Sequence, residues 1–358
     1  MQKTGIYVHI PFCRSKCPYC DFYSLTDTAK AKQYAQALSR NIEKFFAENS
    51  CKADTLYIGG GTPSVLKGEQ IAAIVKSAQK ACGNTLSELT IECNPSDVNA
   101  AFFQEVFAAG VNRISFGMQS AVDSERRALG RRADRVTVEN AVREAQQIGF
   151  SNISLDLMLG IPGQTKESLS ESIRFAAGLG VQHISAYLLS IEEGTWFEKN
   201  LHKLHLPDEE ATAQFYLQAV EELQAQGFAQ YEISNFAKPG FESRHNLKYW
   251  RLEPYIGFGA AAHSFFNGKR FYYPRDIDDY LGGGAPIADG DGGSREERIM
   301  LGLRLSEGIA LSLLSEKALA RVKSLCEEGL ATVSEEKLAL TPEGFLLSNS
   351  IINLLCEE

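Results

Sequence analysis

Six short runs of apolar and β-branched residues recur through the first half of the chain, and helically spaced stretches lie between them. The runs are Gly5–Ile10, Asp54–Gly61, Leu89–Pro95, Arg113–Ser120, Ile153–Gly163 and His183–Ser190. Their length and their Ile, Val, Leu and Tyr content predict β-strands. Residues 30–49, 69–82, 99–110, 136–149 and 165–180 instead place apolar or small residues at helical spacing, and several of these stretches end in Gly, the residue that best closes a helix. Thr165 with Glu167 and Ser168 predicts a capping box at the start of one of them. Regular alternation of strand and helix implies a parallel sheet with right-handed crossovers. Nearly every strand runs into a polar or glycine-rich end, the rim on which α/β barrels carry their chemistry. Six units are fewer than the eight of a closed barrel. The expected fold is therefore α/β, a partial (β/α)6 TIM-like barrel with a wide mouth.

The pattern changes after a long predicted helix at Asp208–Gln226. Residues 236–293 are rich in aromatics and Gly and include the break "LGGGAPIADGDGG" at Leu281–Gly293. From Ser294 the order is helix, helix, short hairpin, helix, which predicts a small α+β C-terminal domain of winged-helix-like character. Three segments are expected: 1–235, the barrel with a metal-binding loop; 236–293, a connecting region; and 294–358, the C-terminal domain.

Charge and composition narrow the function. The 358 residues are 44% hydrophobic, enough for a sizeable core, and the formal net charge is −9. That balance argues against a general nucleic-acid binder, which needs a basic face. No run of about 18 uncharged apolar residues is present, and the N-terminal "MQKTGIYVHIPFC" has no signal-peptide core. The expectation is a cytoplasmic protein that reaches a membrane surface only through a partner.

Of eight cysteines, Cys51, Cys82, Cys93, Cys326 and Cys356 are scattered among apolar or helical positions and read as small hydrophobes. Cys13, Cys17 and Cys20 form CxxxCxxC directly after the first strand. A zinc site would want a fourth close ligand, and none follows at a suitable spacing. Three thiolates on one loop suit a four-iron cluster with one iron left open for a small molecule. Further along, Gly59–Gly61 end the second strand, where glycines let a backbone approach a ligand or simply make a tight turn. Glu92 and Gln119 end the third and fourth strands. Asp156 lies inside an apolar run, where an unpaired charge is costly and a partner or ligand is expected.

The cysteine spacing resembles that of the radical S-adenosylmethionine (SAM) superfamily. That resemblance implies a [4Fe–4S] cluster whose open iron is chelated by SAM, with one-electron cleavage of the SAM sulfonium. "IYVHIPFCRSKCPYCDF", "YIGGGTPS", "IECNPSDV", "ISFGMQS", "RALGR", "LDLMLGIPGQT" and "HNLKYW" together resemble the oxygen-independent coproporphyrinogen III oxidase family over most of the first 265 residues. The resemblance implies SAM contacts from Tyr7, Gly60, Gly61, Thr62, Glu92, Gln119, Arg131 and Asp156. The family's oxidases carry a fourth cysteine where this chain has Phe22, and an extension before the first strand that is missing here. Both departures resemble the HemW-like haem-chaperone branch. The implied function is binding of haem and its delivery to acceptor haem proteins. The alternatives are SAM-dependent decarboxylation of coproporphyrinogen III propionates, or another radical SAM reaction. The resemblance also implies haem contacts from "HNLKYW": His245 as iron ligand, the flat faces of Tyr249 and Trp250, and Arg244, Lys248 and Arg251 against propionates. The alternative reading is that His245 caps a turn while Tyr249 and Trp250 pack in the core. His263 is a second candidate ligand. "GFGAAAH" matches a dinucleotide fingerprint only formally, since no strand–turn–helix is predicted around it. The acceptor protein, and whether the chain is a monomer or a homodimer, are left open.

Overall fold

The computed structural model describes residues 3–83 and 86–357. All six predicted strands form: β1 (Thr4–Ile10), β2 (Ala53–Gly60), β3 (Glu88–Cys93), β4 (Arg113–Gln119), β5 (Ile153–Leu159) and β6 (His183–Leu188). They pair in sequence order, every pair parallel. Helices cover the outer face, at Ala31–Glu48, Gly68–Ala81, Ala100–Ala108, Arg135–Ile148 and Lys166–Gly178. The capping box closes as expected: Ser168 N–H donates to the Thr165 hydroxyl at 3.2 Å, and Thr165 N–H to Ser168 Oγ at 2.9 Å. Ile6, Val8, Leu56, Ile58, Ile91, Ile114, Phe116, Leu155 and Ile184 pack the sheet against these helices and are almost fully buried. The opposite face of the same strands carries Tyr7, Tyr57, Glu92, Gly117 and Asp156, all half-buried. This period-two alternation makes the barrel interior polar.

The region with shifted composition extends the same sheet at both ends. β7 (Ala229–Glu232) and β8 (Asn235–Ala237) form an antiparallel pair on β6. β9 (Tyr255–Phe258) runs parallel to β1, and β10 (His263–Phe266), β11 (Lys269–Tyr272) and β12 (Ile287–Asp291) continue antiparallel from it. The result is one 12-stranded sheet ending in β12 and β7, which remain unpaired to each other among the described residues. The partial barrel is thus open, as six units require. "GFGAAAH" runs from β9 to β10 without an intervening helix, so it is no dinucleotide turn. Its Gly257 is needed because a Cβ there would lie 2.3 Å from the His263 carbonyl oxygen.

The C-terminal part follows the predicted order. Helices at Arg295–Gly302 and Glu316–Glu327 precede a hairpin of β14 (Ala331–Ser334) and β15 (Lys337–Leu340), with β13 (Ile309–Ala310) on its edge, and helices at Pro342–Leu346 and Ser348–Cys356 finish the chain. Its Ile299, Leu303, Leu325 and Leu355 join the hydrophobic core of the barrel. Among the described residues, no helix is long and apolar enough to cross a membrane.

Candidate functional site

A cavity of about 520 Å³ opens at the C-terminal rim of β1–β6. Cys13, Cys17 and Cys20 line it, together with Gly60, Gly61, Thr62, Glu92, Gln119, Arg131 and Asp156. Residues spread over 144 positions of sequence meet here because parallel strands bring all their C-terminal ends to one side. Tyr7 is the exception. It does not line the cavity; its hydroxyl lies 3.0 Å from His9 Nδ1.

The cysteine loop is closed at its base by backbone. Cys13 N–H donates to the Leu25 carbonyl at 2.9 Å, and Leu25 N–H to that of Pro11 at 2.7 Å. His9 adds a side-chain tie, its Nε2 lying 3.1 Å from the Tyr23 carbonyl oxygen. Since a carbonyl only accepts, Nε2 carries the proton and Nδ1 accepts from Tyr7. Burial holds the imidazole down at about 4, against the raising effect of the Tyr23 hydrogen bond, so His9 is a neutral strut at pH 7. The alternation of β1 gave no sign of this role, because His9 reads there as one more inward strand residue.

Two further groups touch the sulfurs. Thr62 Oγ1 lies 3.4 Å from Cys13 Sγ. Arg131 Nη1 donates to Cys17 Sγ at 3.7 Å, and its Nη2 donates to the Gly117 carbonyl. A buried guanidinium is thereby fixed against the thiols. Gly117 makes room for it, since a Cβ there would lie 2.7 Å from Arg131 Nη2. Burial and the other two thiols push the Cys20 thiol up, against a hydrogen bond from the Phe22 backbone. Among the described residues, no three His, Cys, Asp or Glu side chains converge closely enough to hold a single metal ion. Cys13, Cys17 and Cys20 line one cavity, and thiolates are the ligands that iron–sulfur clusters take.

The glycine run has internal causes. Gly60 has φ +112°, and a Cβ there would sit 2.6 Å from the His9 ring; at Gly61 it would sit 2.8 Å from the Phe12 carbonyl oxygen. The strand end is therefore wedged against β1. Gly60 N–H turns to Glu92 Oε2 at 3.1 Å, while Tyr57 donates to Glu92 Oε1 at 2.7 Å. Burial pushes the Glu92 carboxyl up to about 7; the Tyr57 hydrogen bond opposes this and the nearby Asp156 charge adds to it. Asp156 rises to about 6 through burial, opposed by the Ser115 hydroxyl, which donates to it at 3.1 Å, and by the Arg113 charge. Gln119 stands at φ +70° at the end of β4, a strained backbone for a non-glycine residue of the kind met at ligand sites. The cavity thus presents two buried carboxylates, a guanidinium and three thiols, a set suited to a cluster plus a ligand with both cationic and anionic groups.

The "HNLKYW" segment lies elsewhere. It forms the helix Arg244–Trp250, which plugs the N-terminal ends of β1–β3, opposite the cysteines. Glu88 at the start of β3 accepts the N–H groups of Arg244 and His245, both at 2.9 Å. His245 is fully buried. Its Nδ1 pairs with the Thr55 hydroxyl and its Nε2 with that of Tyr249, each at 2.8 Å, and its ring stacks on Tyr57. Lys248 is held by Asp54 and Glu253, and Arg251 by Glu307. Tyr249 packs edge-on to Tyr255, and Trp250 lies beneath the Arg304 guanidinium. As folded, neither nitrogen of His245 is free for iron, and two of the three cations expected for propionates already have carboxylate partners. The cap of this helix is Ser243, His245 lies inside its first turn, and Tyr249 and Trp250 are half-buried. His263, on the exposed end of β10, stacks on Tyr272 and lies outside the cavity lining.

Residues 7–176 match the Radical SAM superfamily, and residues 295–347 match the HemN C-terminal domain. The chain is 37% identical to heme chaperone HemW of Bacillus subtilis over 98% of this chain and 99% of that protein. It is 33% identical to heme chaperone HemW of Mycobacterium tuberculosis, over 99% and 95% respectively. Among solved structures it is similar to the radical SAM enzyme coproporphyrinogen III oxidase (HemN) of Escherichia coli, with a TM-score of 0.83 at 22% identity, covering 99% of this chain and 90% of that one; at that identity the likeness establishes the fold. Matched end to end at this level of identity, the chain belongs to the HemW family of heme chaperones, within the radical SAM superfamily.

Proposed function

We propose that this protein binds haem and hands it to acceptor haem proteins, while holding a [4Fe–4S] cluster on Cys13, Cys17 and Cys20 and SAM beside it. The observation that carries the reading is the likeness, over nearly the whole of both chains, to curated heme chaperones. In the cavity, Glu92 and Asp156 offer carboxylates to an amine or ribose hydroxyl, Arg131 offers a guanidinium to a carboxylate, and Gly60–Thr62 and Gln119 border the same space. Tyr7 acts at one remove, by fixing His9. When bound, the reduced cluster supplies the electron that radical SAM chemistry needs. The protein's own part is to position the ligands and exclude water.

The test is a pair of assays on anaerobically reconstituted protein. Titrated with haem, it should develop a stable Soret band. Supplied with SAM, reductant and coproporphyrinogen III, it should form no protoporphyrinogen above trace level. Steady turnover in the second assay without haem uptake in the first would replace this reading with the oxidase.

A pH dependence follows from Glu92. A carboxyl raised to about 7 is largely protonated below that pH, and only its ionised form attracts an amine cation. SAM affinity should therefore weaken as pH falls through 7, by up to about tenfold per unit well below it. In Glu92→Gln the affinity should be lower at pH 8, approach wild type near pH 6, and fall less steeply between them, the remaining slope coming from Asp156, raised to about 6. Calorimetric titration across that range checks both; an equal slope in the variant would remove Glu92 from the contact.

A further inference from the structure

The inward positions of β4 alternate as Arg113, Ser115 and Gly117. Ser115 donates to Asp156, Gly117 leaves room for Arg131, and both line the cavity. Arg113, at the start of the strand, is 2% exposed and stands outside that lining. In the register of the sheet it lies opposite Thr90, while Glu92 pairs with Ser115 and Asp156 with Gly117. The two carboxylates of the flanking strands therefore stand one and two inward positions above its guanidinium.

A guanidinium sealed from water is costly without an opposite charge. Among the described residues, Arg113 Nε has no hydrogen-bond partner, and neither has the Thr90 hydroxyl opposite it. The polar groups around the strand starts are committed elsewhere. Glu88 gives both oxygens to the N–H groups of Arg244 and His245, and Glu232 turns to Ser234 N–H and the Asn235 amide. His183 is held between the hydroxyls of Ser154 and Tyr231, at 2.7 and 2.8 Å. Other buried cations have carboxylates of their own: Arg126 has Asp123, and Lys248 has Asp54 and Glu253. That leaves Glu92 and Asp156 to Arg113, and in a low-dielectric interior unit charges act over several ångströms without contact. We propose that Arg113 is the internal counter-ion of this pair, a positioning residue that holds both carboxylates in the charged form in which they meet SAM, without touching SAM itself. This rests on the reading of the cavity as a SAM site.

The surrounding electrostatics agree. The Arg113 charge lowers both carboxyls against the burial that raises them, and Arg131 acts on Asp156 in the same sense. Desolvation raises the hydroxyls of Tyr7, Tyr57, Tyr187 and Tyr249 and the Cys93 thiol, so these neighbours stay neutral near pH 7. His183 and His245, held down by burial, are neutral too. Tyr187 also feels Glu232, a third buried acid, raised to about 7.

The experiment compares wild type, Arg113→Met and Arg113→Lys as full chains with the cluster reconstituted. Calorimetry gives SAM affinity from pH 6 to 8.5. The infrared carboxyl band of the SAM-free proteins gives protonation, with Glu92→Gln and Asp156→Asn to separate these two acids from Glu232. In Arg113→Met both carboxyls should titrate about one unit higher than in wild type. SAM should then bind about fivefold more weakly at pH 7, with the gap closing toward pH 8.5 as the carboxyls ionise in both proteins. Arg113→Lys keeps the charge and should restore the wild-type profile. Should Arg113→Met fail to fold, Arg113→Gln, which keeps a donor for Thr90 and loses the charge, carries the same expectation. An arginine that only packs would lower the melting temperature and leave the carboxyl titration where it is; that result overturns the proposal, as does a lysine variant that titrates like the methionine one. Wild type that takes up no SAM ends the SAM reading, and the infrared titration alone then decides whether Arg113 is the counter-ion.

Discussion

Cys17→Ser should strip the protein of its cluster. After anaerobic reconstitution, wild type should hold roughly four iron and four sulfide ions per chain, and the variant well under one, with the visible absorption gone. A thiolate is the ligand that iron–sulfur clusters take, and a serine hydroxyl stays protonated at neutral pH. The fold should survive. The loop is closed by backbone bonds from Cys13 to Leu25 and from Leu25 to Pro11, and Thr62 N–H reaches the Phe12 carbonyl at 2.8 Å; none of these uses the Cys17 sulfur. Far-UV circular dichroism and the melting curve of the metal-free forms should coincide. Two companion variants sharpen the result. Cys51→Ser, at a half-buried cysteine outside the cavity, should keep full iron. Phe22→Cys should gain none, because three cysteines already satisfy a cluster whose last iron is reserved for a small molecule. Full iron and sulfide in Cys17→Ser would refute the ligand set.

The parallel strands were legible because they are buried on one face and edged by Gly and polar residues at fixed ends. Gly59–Gly61, Glu92 and Gln119 could be placed at one rim from that geometry, since strand C-termini in such a sheet share one side; the expected SAM contacts, Arg131 among them, came from the family resemblance alone. The strands added by residues 229–291 were not legible. They are three to five residues long, mostly antiparallel and partly exposed, so their alternation is too brief to separate from loop. Nothing local in "YIGF" says that β9 pairs with β1.

The cavity lining was legible in part, and its supports were not. Tyr7 reads as a contact six residues before Cys13, yet its hydroxyl is taken by His9. Tyr57 gave no signal, although it bridges the two ends of the barrel: its hydroxyl holds Glu92 and its ring stacks on His245. Such roles depend on which side chains face each other across neighbouring strands, and register is set by tertiary pairing, not by spacing along one strand. The 244–250 helix shows the same limit. Its His, Tyr and Trp carry metal and macrocycle chemistry in any context, and only the fold reveals that its His245 faces the N-terminal strand ends and is sealed there.

His245→Ala should cost about 2–4 kcal/mol of stability, a value that combines a cavity with buried hydroxyls left unpaired. Thr55 and Tyr249 both lose their partner, and Tyr57 loses the ring it stacks on. The urea midpoint of the metal-free protein should fall accordingly. A pH signature separates this role from haem ligation. Burial, with the Lys248 and Arg113 charges, holds His245 down at about 3, whereas in the unfolded chain it titrates near 6.5. As pH falls below about 6.5 the unfolded chain takes up a proton that the folded chain refuses, so stability present above that pH is lost progressively toward 3. His9 and His183, also held down by burial, lose stability in the same direction. The variant should therefore show a shallower loss between pH 7 and 5, not a flat one. If the role of His245 is packing alone, the folded variant should still develop the Soret band. Wild-type stability and pH slope combined with a lost Soret band would make His245 the iron ligand after all, and would require the helix to leave Thr55 and Glu88 when haem arrives.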